Sequence, residues 1–134
     1  MFIDACAVIW IMAGEDTAAD YEEALSAASS SYISPLAAWE AIIVLARADQ
    51  LDCSYEQSAD VVFEWLDARG IEIRESGLPR ELLRYAVKVA GKHGIGKRHL
   101  SNFDCFHYAY AKTTQRPLLT MDKLLRVTDA EVLP

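Results

Sequence analysis

The sequence predicts an α/β domain: a mainly parallel sheet with helices on both faces. Short apolar runs that read as strands alternate with helical periodicities along the whole chain. At 134 residues the chain is long enough to bury one real core, so residues 1–134 are expected to form a single domain. Hydrophobic residues make up 52% and charged residues 25%, the balance of a soluble globular protein.

The elements follow in order. "FIDA" reads as a strand and "CAVIWIMAG" as the helix after it. Asp16 and Thr17 open a second helical stretch, with Tyr21, Ala24, Leu25 and Ala28 on one face. "SYIS" is a second strand, and Pro35 stands where a helix begins. A fourth helix is bracketed by Ser54 as its cap and Gly70 as its stop. "IEIRE" alternates like a strand, and "LPRELLRYAVKVAGKHG" is a helix ending in glycines. After a loop, "FDCFHYAYAKTTQ" is helical, "RPLLT" a strand, "MDKLLRV" a short helix and "AEVLP" a terminal strand. No repeat or linker interrupts the series. Trp10, Tyr32, Trp39 and Trp65 are expected in the core, the usual place for aromatics at helical spacing.

Several classes fall away. The apolar stretches are too short to span a bilayer, so no membrane role is expected. The N-terminus has neither a basic region nor a cleavage-site pattern, so no signal peptide is expected. Cys6, Cys53 and Cys105 are scattered and odd in number, which points to a reducing cytoplasm and not to a disulfide framework. His93, His99 and His107 have no ligand spacing with a cysteine, which disfavours zinc. The net charge of −7 disfavours a general nucleic-acid coat. Residues 1–46 hold no Lys or Arg, whereas Arg80, Arg84, Lys88, Lys92, Lys97 and Arg98 are clustered. The first four recur every fourth residue and form one helical stripe. A solvated face and a local track for phosphates both fit it.

Four acids stand out. Asp4 ends the first strand, in an apolar run where an unpaired carboxylate is costly. Glu40 lies inside "LAAWEAIIVL", Asp104 in the first turn of its helix, and Asp122 just past "PLLT". In a parallel sheet these points share the carboxyl edge, where ligands bind. Asp4, Asp104 and Asp122 each have a plain structural role available, as a helix cap or a dipole partner, whereas Glu40, inside an apolar helical run, fits such a role least well. Four at one edge argue for a site, and a hard divalent cation such as Mg²⁺ resolves their repulsion. His107, three residues beyond Asp104, falls on nearly the same helix face. A place near the site and a buried, hydrogen-bonded histidine are both open to it.

"FIDACAVIWIMAGE", "YISPLAAWEAIIVLAR" and "LSNFDCFHYAYAKTTQRPLLTMDKLL" resemble the PIN-domain ribonucleases, most closely the VapC toxins of VapBC toxin–antitoxin systems. The resemblance implies a three-layer α/β/α domain that cleaves RNA endonucleolytically with Mg²⁺ or Mn²⁺. The family's acidic ligands fall on Asp4, Glu40, Asp104 and Asp122. Cys6 stands where the family often has Ser or Thr, and Asn102 and Thr120 would support the site. The stripe from Arg80 to Lys92, with Lys97, Arg98 and His99, would hold the RNA backbone. The resemblance also implies a homodimer and a cognate VapB-type antitoxin that inhibits the enzyme, with DNA involved only through that antitoxin.

Two rivals remain at this stage. One is a PIN fold that has lost activity and serves as an interaction module. The other is a phosphate-handling receiver or a phosphatase. A receiver would place paired acids after its first strand and the phosphatase an Asp-x-Asp, but "DACA" supplies neither.

Overall fold

The computed structural model describes Met1–Pro134. Strand β1 (Phe2–Ile3) leads into helices α1 (Ala5–Ala13) and α2 (Ala18–Ala27), then β2 (Tyr32–Ile33), α3 (Pro35–Leu45) and α4 (Tyr55–Ala68). Strand β3 (Glu72–Ile73) precedes α5 (Pro79–His93) and α6 (Asn102–Thr114), and β4 (Leu118–Leu119) and β5 (Val132–Leu133) complete the chain. The sheet order is β3-β2-β1-β4-β5 and every pairing is parallel. This is the three-layer α/β/α arrangement, with a wholly parallel sheet where the sequence predicts a mainly parallel one.

The strands are shorter than their sequence patterns. Of "IEIRE" only Glu72 and Ile73 pair, and both are exposed, because β3 is an edge strand with a neighbour on one side alone. The short helix expected in "MDKLLRV" is a single 3₁₀ turn, Leu125–Val127. Thr17 precedes α2 but its side chain makes no capping bond. Elsewhere the local signals hold. Ser34 Oγ accepts from Ala37 N at 3.0 Å, with Pro35 in the first turn of α3. Ser54 and Gln57 form a reciprocal capping box at the start of α4.

The central strand is buried on both faces. Phe2 stacks on Tyr110 of α6 at 5.6 Å and 6°, and meets Tyr32 at 5.6 Å. Ile3, Ile33, Leu118 and Leu119 complete an apolar sheet between helices. Tyr32 is in the core, and Trp10 and Trp65 pack half-buried against it. Trp39 is not a core residue: it is 52% exposed, because α3 buries its alanine face (Ala37, Ala38, Ala41) and turns the indole outward.

The hairpin of α5 and α6 sets one side of the site. Tyr85, midway along α5, meets Tyr108, midway along α6, edge to face at 6.4 Å. The turn between the helices closes through an Ile95–Leu100 bridge. Gly94 stops α5 at φ +80°, and a Cβ there would come 3.2 Å from His99 Nδ1. The two helices therefore run antiparallel, and the C-terminal end of α5 lies beside the start of α6.

Candidate active site

Sheet register sets the first residues of the site. Ile3 pairs with Ile33 and with Leu119, so Asp4, Ser34 and Thr120 stand level along the carboxyl edge. All three are fully buried. Connections from β1 run to β2 and β3 on one side, then jump to β4 on the other. The crevice beside β1 is therefore a topological switch point, the usual ligand position in open parallel sheets.

Asp4 caps α1. Its extended backbone (φ −89°, ψ 172°) turns the carboxylate back over the helix start, and Oδ1 accepts from Ala7 N at 2.9 Å. Oδ2 is buried with no hydrogen-bond partner, although the Thr120 hydroxyl is near enough to favour its charged form. Burial pushes the carboxyl from the ordinary 3.8 up to about 6. His107, Thr120 and the Ala7 N–H pull the other way, and Glu40 adds a push upward.

Asp104 sits at the N3 position of α6, inside a second capping box. Its Oδ2 accepts from Ser101 N at 2.7 Å, and its own N–H donates to Ser101 Oγ at 3.0 Å. Burial raises its pKa and the neighbouring Asp122 adds to the rise, against the Ser101 bonds and His107. The box thus aims the carboxylate, and Ser101→Ala removes one of its two bonds. The expected result is a loss of about 1 kcal/mol, a melting temperature lower by about 3–5 °C, with α6 otherwise intact. Thermal unfolding followed by circular dichroism checks it.

Glu40 is one-fifth exposed at the rim of α3, and its Oε2 lies 2.7 Å from His107 Nε2. A carboxylate only accepts, so His107 donates from Nε2. The ring is fully buried, with Phe103 stacked alongside and Phe2 beyond, and its Nδ1 has no partner. Both possibilities left open for His107 thus hold together: it is buried and hydrogen-bonded, and it touches one of the acids. Asp122 follows β4 in a tight turn. Its N–H donates to Thr120 Oγ1 at 2.9 Å, and its Oδ1 accepts from Leu124 N at 2.7 Å.

Burial raises the Cys6 thiol pKa, and Asp4, Glu40, Asp104 and Asp122 are the next causes, so all four carboxylates are near enough to bear on this one thiol. Cys105, by contrast, is a buried filler. Asn102 is exposed and shares no hydrogen bond with the acids.

The donors suit a hard divalent cation. Each acid has one oxygen tied within the protein, by Ala7, His107, Ser101 or Leu124, and one left over. The leftover oxygen of Asp4 is buried, where an unpaired charge is costly. No three of the His, Cys, Asp or Glu side chains are pre-set at coordinating positions. Oxygen-only ligation of this kind fits Mg²⁺ or Mn²⁺ better than a thiophilic metal.

The sequence matches the PIN domain family over residues 1–131. The chain belongs to the PIN domain family. PIN domains are generally metal-dependent nucleases that act on RNA, so membership supports a hydrolase using a divalent metal such as Mg²⁺. No curated protein matches the chain. No helix of this PIN domain is long and apolar enough to cross a membrane.

The clustered basic residues of this PIN domain, Arg80, Arg84, Lys88, Lys92, Lys97 and Arg98, are all exposed. Arg80, Arg84, Lys88 and Lys92 run down the outer face of α5, interleaved with exposed Leu83 and Val87. The antiparallel hairpin puts Lys92, Lys97 and Arg98 at the end nearest Asp104, and Arg80 about 18 Å further along the helix.

Proposed function

We propose that this PIN domain is a metal-dependent endoribonuclease and the VapC-type toxin of a toxin–antitoxin pair, working in the cytoplasm as a homodimer. The observation that supports the enzymatic reading is the buried Oδ2 of Asp4, left without a hydrogen bond at the carboxyl edge of the sheet. An apolar strand end has no structural need of that second oxygen, since the α1 cap uses only Oδ1.

Asp4, Glu40 and Asp104 would hold Mg²⁺ or Mn²⁺, with Asp122 completing the set. A divalent ion there supplies charge neutralisation on the phosphodiester and a water of lowered pKa. The protein's own part is positional. Ser101 holds Asp104, Ala7 holds Asp4, and Thr120 holds the backbone that carries Asp122. Cys6 lies within reach of their charges, and its raised pKa keeps it a neutral thiol that adds no further negative charge. A VapB-type antitoxin would inhibit by placing a guanidinium among the acids, where a cation fits.

The test is cleavage of labelled total RNA by antitoxin-free protein, with Mg²⁺ and with EDTA. Metal-dependent cutting is the expected result. No cutting by folded protein would favour the interaction-module reading.

The basic stripe makes a separate prediction. If it holds the RNA backbone, Arg84→Ala with Lys88→Ala makes the salt dependence of RNA binding shallower, by about 0.7 in log–log slope per lost phosphate contact. An unchanged slope returns the stripe to a solvated helix face.

A further inference from the structure

One exposed aromatic group beside the acids has no structural use. Trp39 precedes Glu40 in α3, and Phe103 precedes Asp104 in α6. Their rings stack, with centroids 6.0 Å apart and planes at 22°. Phe103 in turn stacks on the buried His107 at 6.5 Å and 28°. The three rings form a pile that starts in the core and ends at the surface. Its top member, Trp39, is still 52% exposed. One face of the indole lies on Phe103, so the exposure falls on the opposite face and the edge.

The other two tryptophans are occupied. Trp10 donates its indole N–H to Thr17 at 2.9 Å, and Trp65 lies under the Arg69 guanidinium at 4.3 Å. Trp39 makes no hydrogen bond and carries no cation. Leaving a large aromatic face in water is unfavourable. A half-exposed indole, stacked in place and one residue before Glu40, has the form of a platform for a planar ligand.

We infer that Trp39 is a stacking platform for an unpaired nucleobase next to the phosphate that reaches the acids. This rests on the nuclease reading for its choice of ligand and adds a residue to it: Trp39 is the side chain that holds the unpaired base beside the site. A base within a duplex has both faces covered and cannot lie on the indole. An unpaired base in a loop, bulge or end can. Stacking tolerates any base, so Trp39 selects for unpaired structure and not for sequence.

The test uses Asp4→Asn protein in Mg²⁺, which is expected to bind while cutting about 10²–10³-fold more slowly, and a short mixed-sequence RNA as probe. Tryptophan fluorescence is followed as single-stranded RNA, or the same RNA in a duplex, is added. The single strand is expected to quench emission and the duplex to leave it nearly unchanged. Trp39→Leu in the same background is expected to remove the quenching and weaken single-strand binding about tenfold or more. Trp39→Phe, which keeps a stacking face, should recover most of the affinity. Equal quenching by the duplex overturns the inference, as does unchanged affinity in Trp39→Leu, or no quenching at all, which would leave the indole to a protein partner.

The two readings fail separately. If parent protein cuts RNA but Trp39→Leu binds and cuts as well as parent, the platform is wrong and the nuclease stands. If parent cuts nothing yet Trp39 emission is quenched by single strands alone, the platform stands and the nuclease reading falls.

Discussion

Asp4→Asn is expected to lower cleavage by about 10²–10³-fold while leaving the fold intact or strengthening it. The two effects separate because the two oxygens do different things. Asparagine keeps a side-chain oxygen for the Ala7 N–H, so the α1 cap survives. What is lost is the negative charge on the buried carboxylate, whose Oδ2 has only the nearby Thr120 hydroxyl to favour it. Measured in EDTA, the parent should also show a distinct pH dependence. Its folded-state pKa of about 6 lies above the ordinary 3.8, so the folded chain holds the proton over a range where the unfolded chain has released it. Stability is therefore highest below that range and falls as pH rises through it, by about 3 kcal/mol in all. Asp4→Asn cannot titrate and should flatten that slope. Chemical denaturation between the two pH limits reads the difference directly. A variant that loses stability at neutral pH and still cuts RNA would contradict both halves.

His107→Ala is expected to have the largest effect on stability, about 2–4 kcal/mol. The ring is fully buried between Phe2 and Phe103, and its removal opens a cavity where α6 meets the sheet. It also frees Glu40, which loses its only side-chain partner. Groups that orient a metal-binding carboxylate typically matter about 10- to 100-fold in metal affinity. Calorimetric titration of Mn²⁺ into folded variant should show a loss of that order. His107→Gln, which retains a donor, should recover part of the affinity. Unchanged Mn²⁺ binding in folded His107→Ala would make the histidine a core residue alone.

The sheet was legible in the sequence because parallel strands buried on both faces leave near-continuous apolar runs, and a carboxylate at the end of such a run is conspicuous at Asp4 and Asp122. Helix starts were legible through Pro35 and Ser54, whereas the caps at Ser34 and Ser101 emerge only from the fold. Partners across the fold were not legible either. Nothing local to Glu40 shows that a histidine 67 residues later will hold it. Nothing in "AAWEA" shows that the alanines, and not the tryptophan, face the core. Alanine is small enough for α3 to lie close on its neighbours, and that preference is decided by packing and not by hydrophobicity.

The order of the strands bears on when the site can exist. β1 is the central strand of the sheet, and its neighbour β4 lies far downstream of it in the chain. A chain emerging from the ribosome therefore holds Asp4 long before it has Asp104 or Asp122 to set near it. Until those segments dock, the β1 strand is an apolar edge and the acids are scattered along an unfolded polymer. Only a chain made and folded through Asp122 could present the four carboxylates to a cation or to a protein partner.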